Sequence, residues 1–354
     1  MKYPRRGILL LSTMTLLMLM SCRLTPGPEP GQDVVPAKPV APVEMSGTDT
    51  QAGLSRGAIT EPVTMLWSNP GQLRDYDHFL LEKPSNPAVW AAGMDTEMRL
   101  WLVGKAETQA LYGEPVVILE RCGEWLRVAA AKQKSSLNEL GYPGWVPAVH
   151  VITEQSYLSD LETRPNIVVA KPLTKLYANQ ELTEVVTELC YQTRLPLLEE
   201  KTYNVAVRLP DGGTGYLPRQ DVKKTSELTF SAGDIVNEAM SFLGLRYIWA
   251  GTSSYGFDCS GYTMRLYQSQ GISIPRDAHE QAREGQMVDK SDLLPGDLLF
   301  FAAKEGQGQI HHVAMYIGNG MMIHSPNSSS SVQIDAIDSG AYIREYWGAK
   351  RYIP

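Results

Sequence analysis

The chain is poor in cysteine, with four in 354 residues, and no two of them are spaced as Cys-x-x-Cys. Its six histidines include no His-x-x-x-His pair. A closed structural zinc site is therefore not expected, and no metal or cofactor is called for. Positive charge is also short: the formal net charge is −7. That disfavours nucleic acid, whose binding proteins carry a basic face. It also disfavours electrostatic attachment to anionic lipid, so any membrane attachment should be covalent. The apolar run Ile8–Met20 is too short to span a bilayer as a mature helix. What remains is a composition with 43% hydrophobic and 20% charged residues, which reads as globular, and a length that calls for two or three domains.

The N-terminus is laid out as a secretory signal. Lys2, Arg5 and Arg6 precede the apolar run, which ends in Leu19-Met20-Ser21-Cys22. A small residue followed by Cys resembles the bacterial lipobox, although Met20 is unusual within it. The resemblance implies a lipidated Cys22 as the mature N-terminus, a signal over 1–22, and a membrane-anchored protein of the cell envelope. Residues 23–53 are rich in Pro, Gly, Thr and Val and read as a linker. In an extended form of about 3.1 Å per residue it reaches on the order of 90 Å. With Cys22 lipidated, three cysteines are left, so at least one thiol should be free in an oxidising compartment. Cys122 and Cys190 are candidates for one disulfide.

Residues 54–97 carry scattered aromatics and read as a small packed segment. Two stretches then look alike. Leu111-Tyr112, Pro115–Glu120, Trp125–Val128 and Gly144-Trp145-Val146-Pro147 are echoed by Leu176-Tyr177, Pro196–Glu200, Val205–Arg208 and Gly215-Tyr216-Leu217-Pro218. Short β-rich runs between turn residues suit two SH3-like β-barrels, at 98–155 and 164–226. From Ser231 the pattern becomes helical over Ala232–Leu243, with Ser231 as cap and Gly244 as stop. A second helix is predicted from Cys259 to Gly271. Strands follow at Leu298–Phe301, Val313–Ile317, Met321–His324 and Val332–Ile334, so 230–354 reads as an α+β domain.

Cys259 follows a Gly-rich stretch and opens the second helix. A helix N-terminus favours the thiolate, and its free N–H groups can serve an oxyanion. The candidate base is His312, with His324 downstream. If Gly318-Asn319-Gly320 is a three-residue hairpin loop, Ala314 pairs with His324 and the two histidines share a face. A two-residue Asn319-Gly320 turn would shift the register by one and put His324 on the other face.

Several segments of 230–354 resemble the catalytic domain of NlpC-type cell-wall cysteine peptidases, a papain-like family. They are Tyr247-Ile248-Trp249, Phe257-Asp258-Cys259-Ser260-Gly261, Pro275-Arg276-Asp277, Pro295-Gly296-Asp297-Leu298, His312–Gly318 and Ile323-His324. The resemblance places that family's Cys-His-His triad on Cys259, His312 and His324. One departure is Ala250, where the family usually has Gly, from which altered local packing is expected. Two SH3-like domains ahead of such a domain resemble the γ-D-glutamyl-L-diamino-acid endopeptidases that act on murein peptides. That implies hydrolysis of stem peptides, L-Ala-γ-D-Glu-diamino acid, with a free L-Ala amine. It further implies a substrate site lined by Tyr142, Tyr247, Asp258 and Ser260, with Asp258 on the amine and either Glu107 or Glu114 as a further acidic partner. Competing readings are a wall-peptide binding protein with a dead catalytic fold, and an amidase or acyltransferase on the same fold.

Overall fold

The structure, a computed structural model, describes residues 55–352. Cys22, the signal at 1–22 and the linker at 23–53 lie outside the described residues.

The first sheet is built from β1 (Arg56–Ile59), β2 (Val63–Trp67), β3 (Ala106–Leu111), β4 (Pro115–Cys122), β5 (Trp125–Ala130), β6 (Tyr142–Pro147) and β7 (Val151–Ile152). The second uses β8 (Asn166–Val169), β9 (Leu173–Tyr177), β10 (Val185–Cys190), β11 (Arg194–Glu200), β12 (Asn204–Arg208), β13 (Thr214–Pro218) and β14 (Val222–Lys224). Strand orders are 3-2-6-5-4-1-7 and 10-9-13-12-11-8-14, the same topology twice. Each sheet encloses its own apolar core, around Ile59, Leu66, Val116, Val128 and Val146 in the first and Val169, Leu176, Leu195, Val207 and Leu217 in the second.

Two expectations are corrected here. The segment 54–97 is not separate, because β1 and β2 already belong to the first barrel, which therefore begins near residue 56 and not 98. Three short helices, α1 (His78–Leu81), α2 (Pro87–Gly93) and α3 (Thr96–Leu100), are inserted between β2 and β3 and separate the strands in sequence. The repeat is also offset from the one expected. Leu176-Tyr177 ends β9, and its topological counterpart is Leu66-Trp67 at the end of β2, not Leu111-Tyr112. Trp67 pairs with Trp145 as Tyr177 pairs with Tyr216.

The helix α4 (Gln155–Thr163) joins the barrels, its Tyr157 hydroxyl bonded to the Gly113 carbonyl. The third region opens with α5 (Ala232–Met240), capped as expected by Ser231 on the Asp234 amide. The chain turns at Gly244, whose φ of +83° suits glycine. A small hairpin, β15 (Thr252–Ser253) and β16 (Gly256–Phe257), leads into α6 (Cys259–Ser269). Six antiparallel strands follow: β17 (Gln286–Val288), β18 (Leu298–Ala302), β19 (Ile310–Gly318), β20 (Met321–His324), β21 (Gln333–Ala336) and β22 (Tyr346–Arg351). They lie in the order 17-22-18-19-20-21. One face of this sheet, through Phe300, Val313, Met315 and Ile323, packs on Tyr262, Leu266 and Tyr267 of α6. A helix against an antiparallel sheet is the α+β arrangement read from the sequence.

The β19–β20 turn combines both registers considered above. Asn319 and Gly320 have φ of +54° and +71°, as a two-residue type I′ turn requires. The register then shifts between Tyr316 and Gly318, so that Met315 faces Ile323. The extra residue in the bulge cancels the slip of the short turn and returns His312 and His324 to one face. Cys190 is a free, buried thiol at the end of β10, so the Cys122–Cys190 disulfide does not form. Burial pushes that thiol up to about 12, which makes it inert.

Candidate active site

Three local features set Cys259 in place. Asp258 is the N-cap of α6, its carboxylate accepting the Gly261 amide at 2.7 Å. Gly261 sits where a β-carbon would lie 2.2 Å from the Gly251 carbonyl oxygen, so only glycine lets the loop close on the helix. Ala250 in the same loop has φ of +65° and is buried. Its departure from the family's Gly therefore acts through backbone strain, a left-handed conformation that glycine adopts freely, and not only through packing.

Cys259 lies partly exposed at the first position of α6. Burial and the Asp258 charge push its thiol up to about 12, against the pull of the Val313 and Ser260 backbone N–H groups. Val313 follows His312 on β19, so the Cys259 thiol meets that strand next to His312. Burial, then His324 and His311, hold His312 well below the usual imidazole value. Both directions favour the uncharged forms, thiol and imidazole, over the charged ones.

His312 Nε2 is 2.8 Å from His324 Nδ1, and His324 Nε2 is 2.9 Å from the Asp335 carboxylate on β21. The direction of this chain follows from its end. A carboxylate only accepts, so His324 donates from Nε2 and its Nδ1 is a bare acceptor. His312 must then donate from Nε2, which leaves its Nδ1 with a free lone pair. Gln333 donates to the same Asp335 oxygen at 2.7 Å and fixes it. Tyr342 packs edge-on against His324.

The other expected residues gather around Arg276, which is fully enclosed (1% exposed). Its Nη1 and Nη2 donate to the two Asp258 oxygens at 3.1 and 2.6 Å, its Nη1 also to Ser260 Oγ at 3.0 Å, and its Nε to Thr108 Oγ1 at 2.9 Å. Next to it, Asp277 accepts the Tyr142 hydroxyl at 3.1 Å. Glu107, adjacent to Thr108 on β3, feels both Asp277 and Arg276. Burial raises its pKa first, and the Asp277 charge raises it further. Burial likewise raises Asp277, with Arg276 opposing. Tyr247 is buried within the field of Cys259 and Asp258. Glu114 is elsewhere: it caps the Leu111 amide and pairs with buried Arg265. Of the two acidic candidates, only Glu107 belongs to this cluster.

The first barrel forms one wall of the site. The Ala106 carbonyl accepts Trp249 Nε1 at 3.0 Å, and Gln109 bonds the Thr252 amide and hydroxyl at 3.0 and 2.9 Å. Together with Thr108 on Arg276, β3 is stitched along its length to the loops that carry Tyr247 and Cys259. Sequence reasoning assigned no role to Arg276, Asp277, Thr108 or Asp335. Pro275-Arg276-Asp277 was visible as a motif, whereas nothing in the sequence marks Asp335.

A thiol at the head of a helix, beside a strand whose histidine bonds a second polar side chain, is the arrangement of a papain-like cysteine peptidase. Residues 244–351 match the NlpC/P60 family, and residues 169–224 match the YKFC SH3b2 domain. The gamma-D-glutamyl-L-lysine dipeptidyl-peptidase of Bacillus cereus (strain ATCC 10987 / NRS 248) is 42% identical over 85% of this chain and 92% of its own length. The protein of the same name from Bacillus subtilis (strain 168) is 34% identical over 83% and 97%. The crystal structure of an NlpC/P60 family protein from Bacillus cereus ATCC 10987 superposes with a TM-score of 0.81 at 42% identity, covering 85% of this chain and all of that one. The chain belongs to the NlpC/P60 family.

Proposed function

We propose that the protein hydrolyses the γ-D-glutamyl–L-diamino-acid amide of peptidoglycan stem peptides that carry a free N-terminal L-Ala. The observation that carries this reading is the pairing of the Cys259–His312–His324 site with a neighbouring cluster of carboxylates walled by the first barrel. Asp258, Asp277 and Glu107 surround a single buried guanidinium, Arg276. With exposed Arg127 also acting on Glu107, three carboxylates face two guanidiniums, and the negative charge left over suits one ammonium group. Asp258 is largely consumed by Arg276 and the Gly261 amide, so Glu107 and Asp277, with the Tyr142 hydroxyl, are the groups left to meet the amine. The names of the two Bacillus relatives agree with this substrate class.

In the reaction, His312 Nδ1 takes the Cys259 proton as Sγ attacks the γ-carbonyl carbon. The N–H groups at the head of α6 receive the oxyanion. His312 returns the proton to the departing amine of the diamino acid. Water, deprotonated by His312, then cleaves the thioester, releasing L-Ala-D-Glu and restoring the thiol. A lipid on Cys22 and the linker at 23–53 would hold this activity at the cell envelope, in murein turnover or recycling. Incubating the protein with L-Ala-γ-D-Glu-L-Lys and its diaminopimelate counterpart, followed by mass analysis, tests the bond. Release of L-Ala-D-Glu supports the reading, and intact peptide or cleavage at another bond contradicts it.

A further inference from the structure

A cavity of about 430 Å³ lies where both barrels meet the C-terminal half of α6. That volume falls in the range of about 300–1,000 Å³ typical of small-molecule sites. It shares no residue with the catalytic cluster. The first barrel contributes Glu114, Lys132 and Lys134, the second Arg194, and the catalytic domain Arg265 and Gln268.

The charges in this cavity do not balance. Four cations face one carboxylate, and Glu114 is already spent on Arg265, both side chains being almost fully buried. Lys134 leans toward Glu284 at 3.7 Å and the Ser273 carbonyl. Arg194 is different. Its side chain is part-buried, and among the described residues no hydrogen bond or ion pair is made by its guanidinium. Burial lowers its pKa, and Glu114 alone opposes that effect. Its stem is part-buried while its nitrogens stay open to the cavity, so the fork is held in place and free to receive a ligand. Its five donors form a planar fork suited to a carboxylate or phosphate.

We propose that this cavity binds a small molecule bearing carboxylate or phosphate groups, with Arg194 as the principal contact and Lys132 at the mouth. Because the walls come from three domains, the ligand would join them. It would also brace the first barrel, whose β3 strand forms the wall of the active site.

The test titrates the full chain with inorganic pyrophosphate and, separately, with citrate, at ionic strength held constant by sodium chloride, following Tm and binding heat. The expected result is a saturable rise in Tm with at least one of them. Arg194→Gln should weaken binding at least tenfold, and Lys132→Glu severalfold, while peptide hydrolysis without added anion stays at the wild-type rate in both. Lys132 is exposed, so its variant keeps the test valid if Arg194→Gln folds poorly. Stronger binding of pyrophosphate assigns a phosphate ligand, and stronger binding of citrate a carboxylate. No saturable effect from either anion, or unchanged binding by both variants, overturns the proposal.

Discussion

Arg276 holds both carboxylate oxygens of Asp258, the residue immediately before Cys259, in a buried bidentate pair. The pair ties the head of α6 to Ser260 and, through Thr108, to the first barrel. Breaking a buried pair strands its partner and costs about 3–5 kcal/mol. Arg276→Met should therefore lower stability by that order and reduce activity, whereas exchanging Lys223, which makes a surface pair with Glu238, should cost less than about 1 kcal/mol. Denaturant unfolding of the two variants checks the contrast. Equal losses would show that Asp258 does not depend on Arg276.

The relay beyond the base makes a graded prediction. Cys259→Ala and His312→Ala should abolish turnover, a loss that can reach roughly 10⁶-fold for a triad nucleophile or base. His324→Ala should cost less, since it orients the base and does not carry the proton. Asp335→Ala should cost at least about tenfold in kcat, but less than the roughly 10⁴-fold known where such a carboxylate touches the base directly. Asp335→Asn should be milder than Ala, because its amide oxygen still accepts from His324. Wild-type kcat in Asp335→Ala would remove Asp335 from the site.

The histidine shifts carry a sign. His312 and His324 are lowered by burial, so both remain neutral in the folded protein below the usual 6.5. The unfolded chain takes up protons first as pH falls through 6.5. Stability contributed by these groups is therefore present above 6.5 and lost as pH falls toward their folded values. The acid limb of kcat/KM should lie below 6.5. Asp335 raises His324, and removing its charge in Asp335→Asn should lower the pH at which His324 itself takes up a proton, read by NMR titration. A pH–rate profile with its acid limb above 7 would contradict the assignment of a buried neutral base.

Ala250 supplies a stability prediction. Ala250→Gly relieves a left-handed conformation that costs an alanine about 1–2 kcal/mol, offset in part by glycine's greater freedom when unfolded. The net gain should be roughly 0.5–1 kcal/mol, read as a higher Tm. A lower Tm would show that packing of the Ala250 methyl outweighs the strain.

The sequence revealed what is local and hid what depends on strand pairing. Cys259 at a helix start, and the histidines on strands joined by Gly318-Asn319-Gly320, could be read from patterns spanning a few residues. The hairpin could not be settled, since a two-residue turn and a compensating bulge leave no separate trace in the pattern. Asp335 reaches His324 only because β21 pairs with β20. β1 and β2 escaped notice because the helical insert separates them from the rest of their barrel. The choice between Glu107 and Glu114 rested on whether β3 or the turn after it faces Arg276, a matter of domain packing that no local pattern encodes.

The carboxylate cluster is proposed to recognise a free amine. That recognition is tested most directly by comparing kcat/KM for L-Ala-γ-D-Glu-L-Lys with that for its N-acetyl-L-Ala form, in the wild type and in Glu107→Gln. Losing a charge-assisted contact costs about 2–5 kcal/mol, so the free peptide should be preferred by at least about 30-fold. In Glu107→Gln that preference should shrink, while Glu114→Gln leaves it intact. Equal rates on the free and acetylated peptides by the wild type would contradict the account and mark the cleft as open to intact wall peptides.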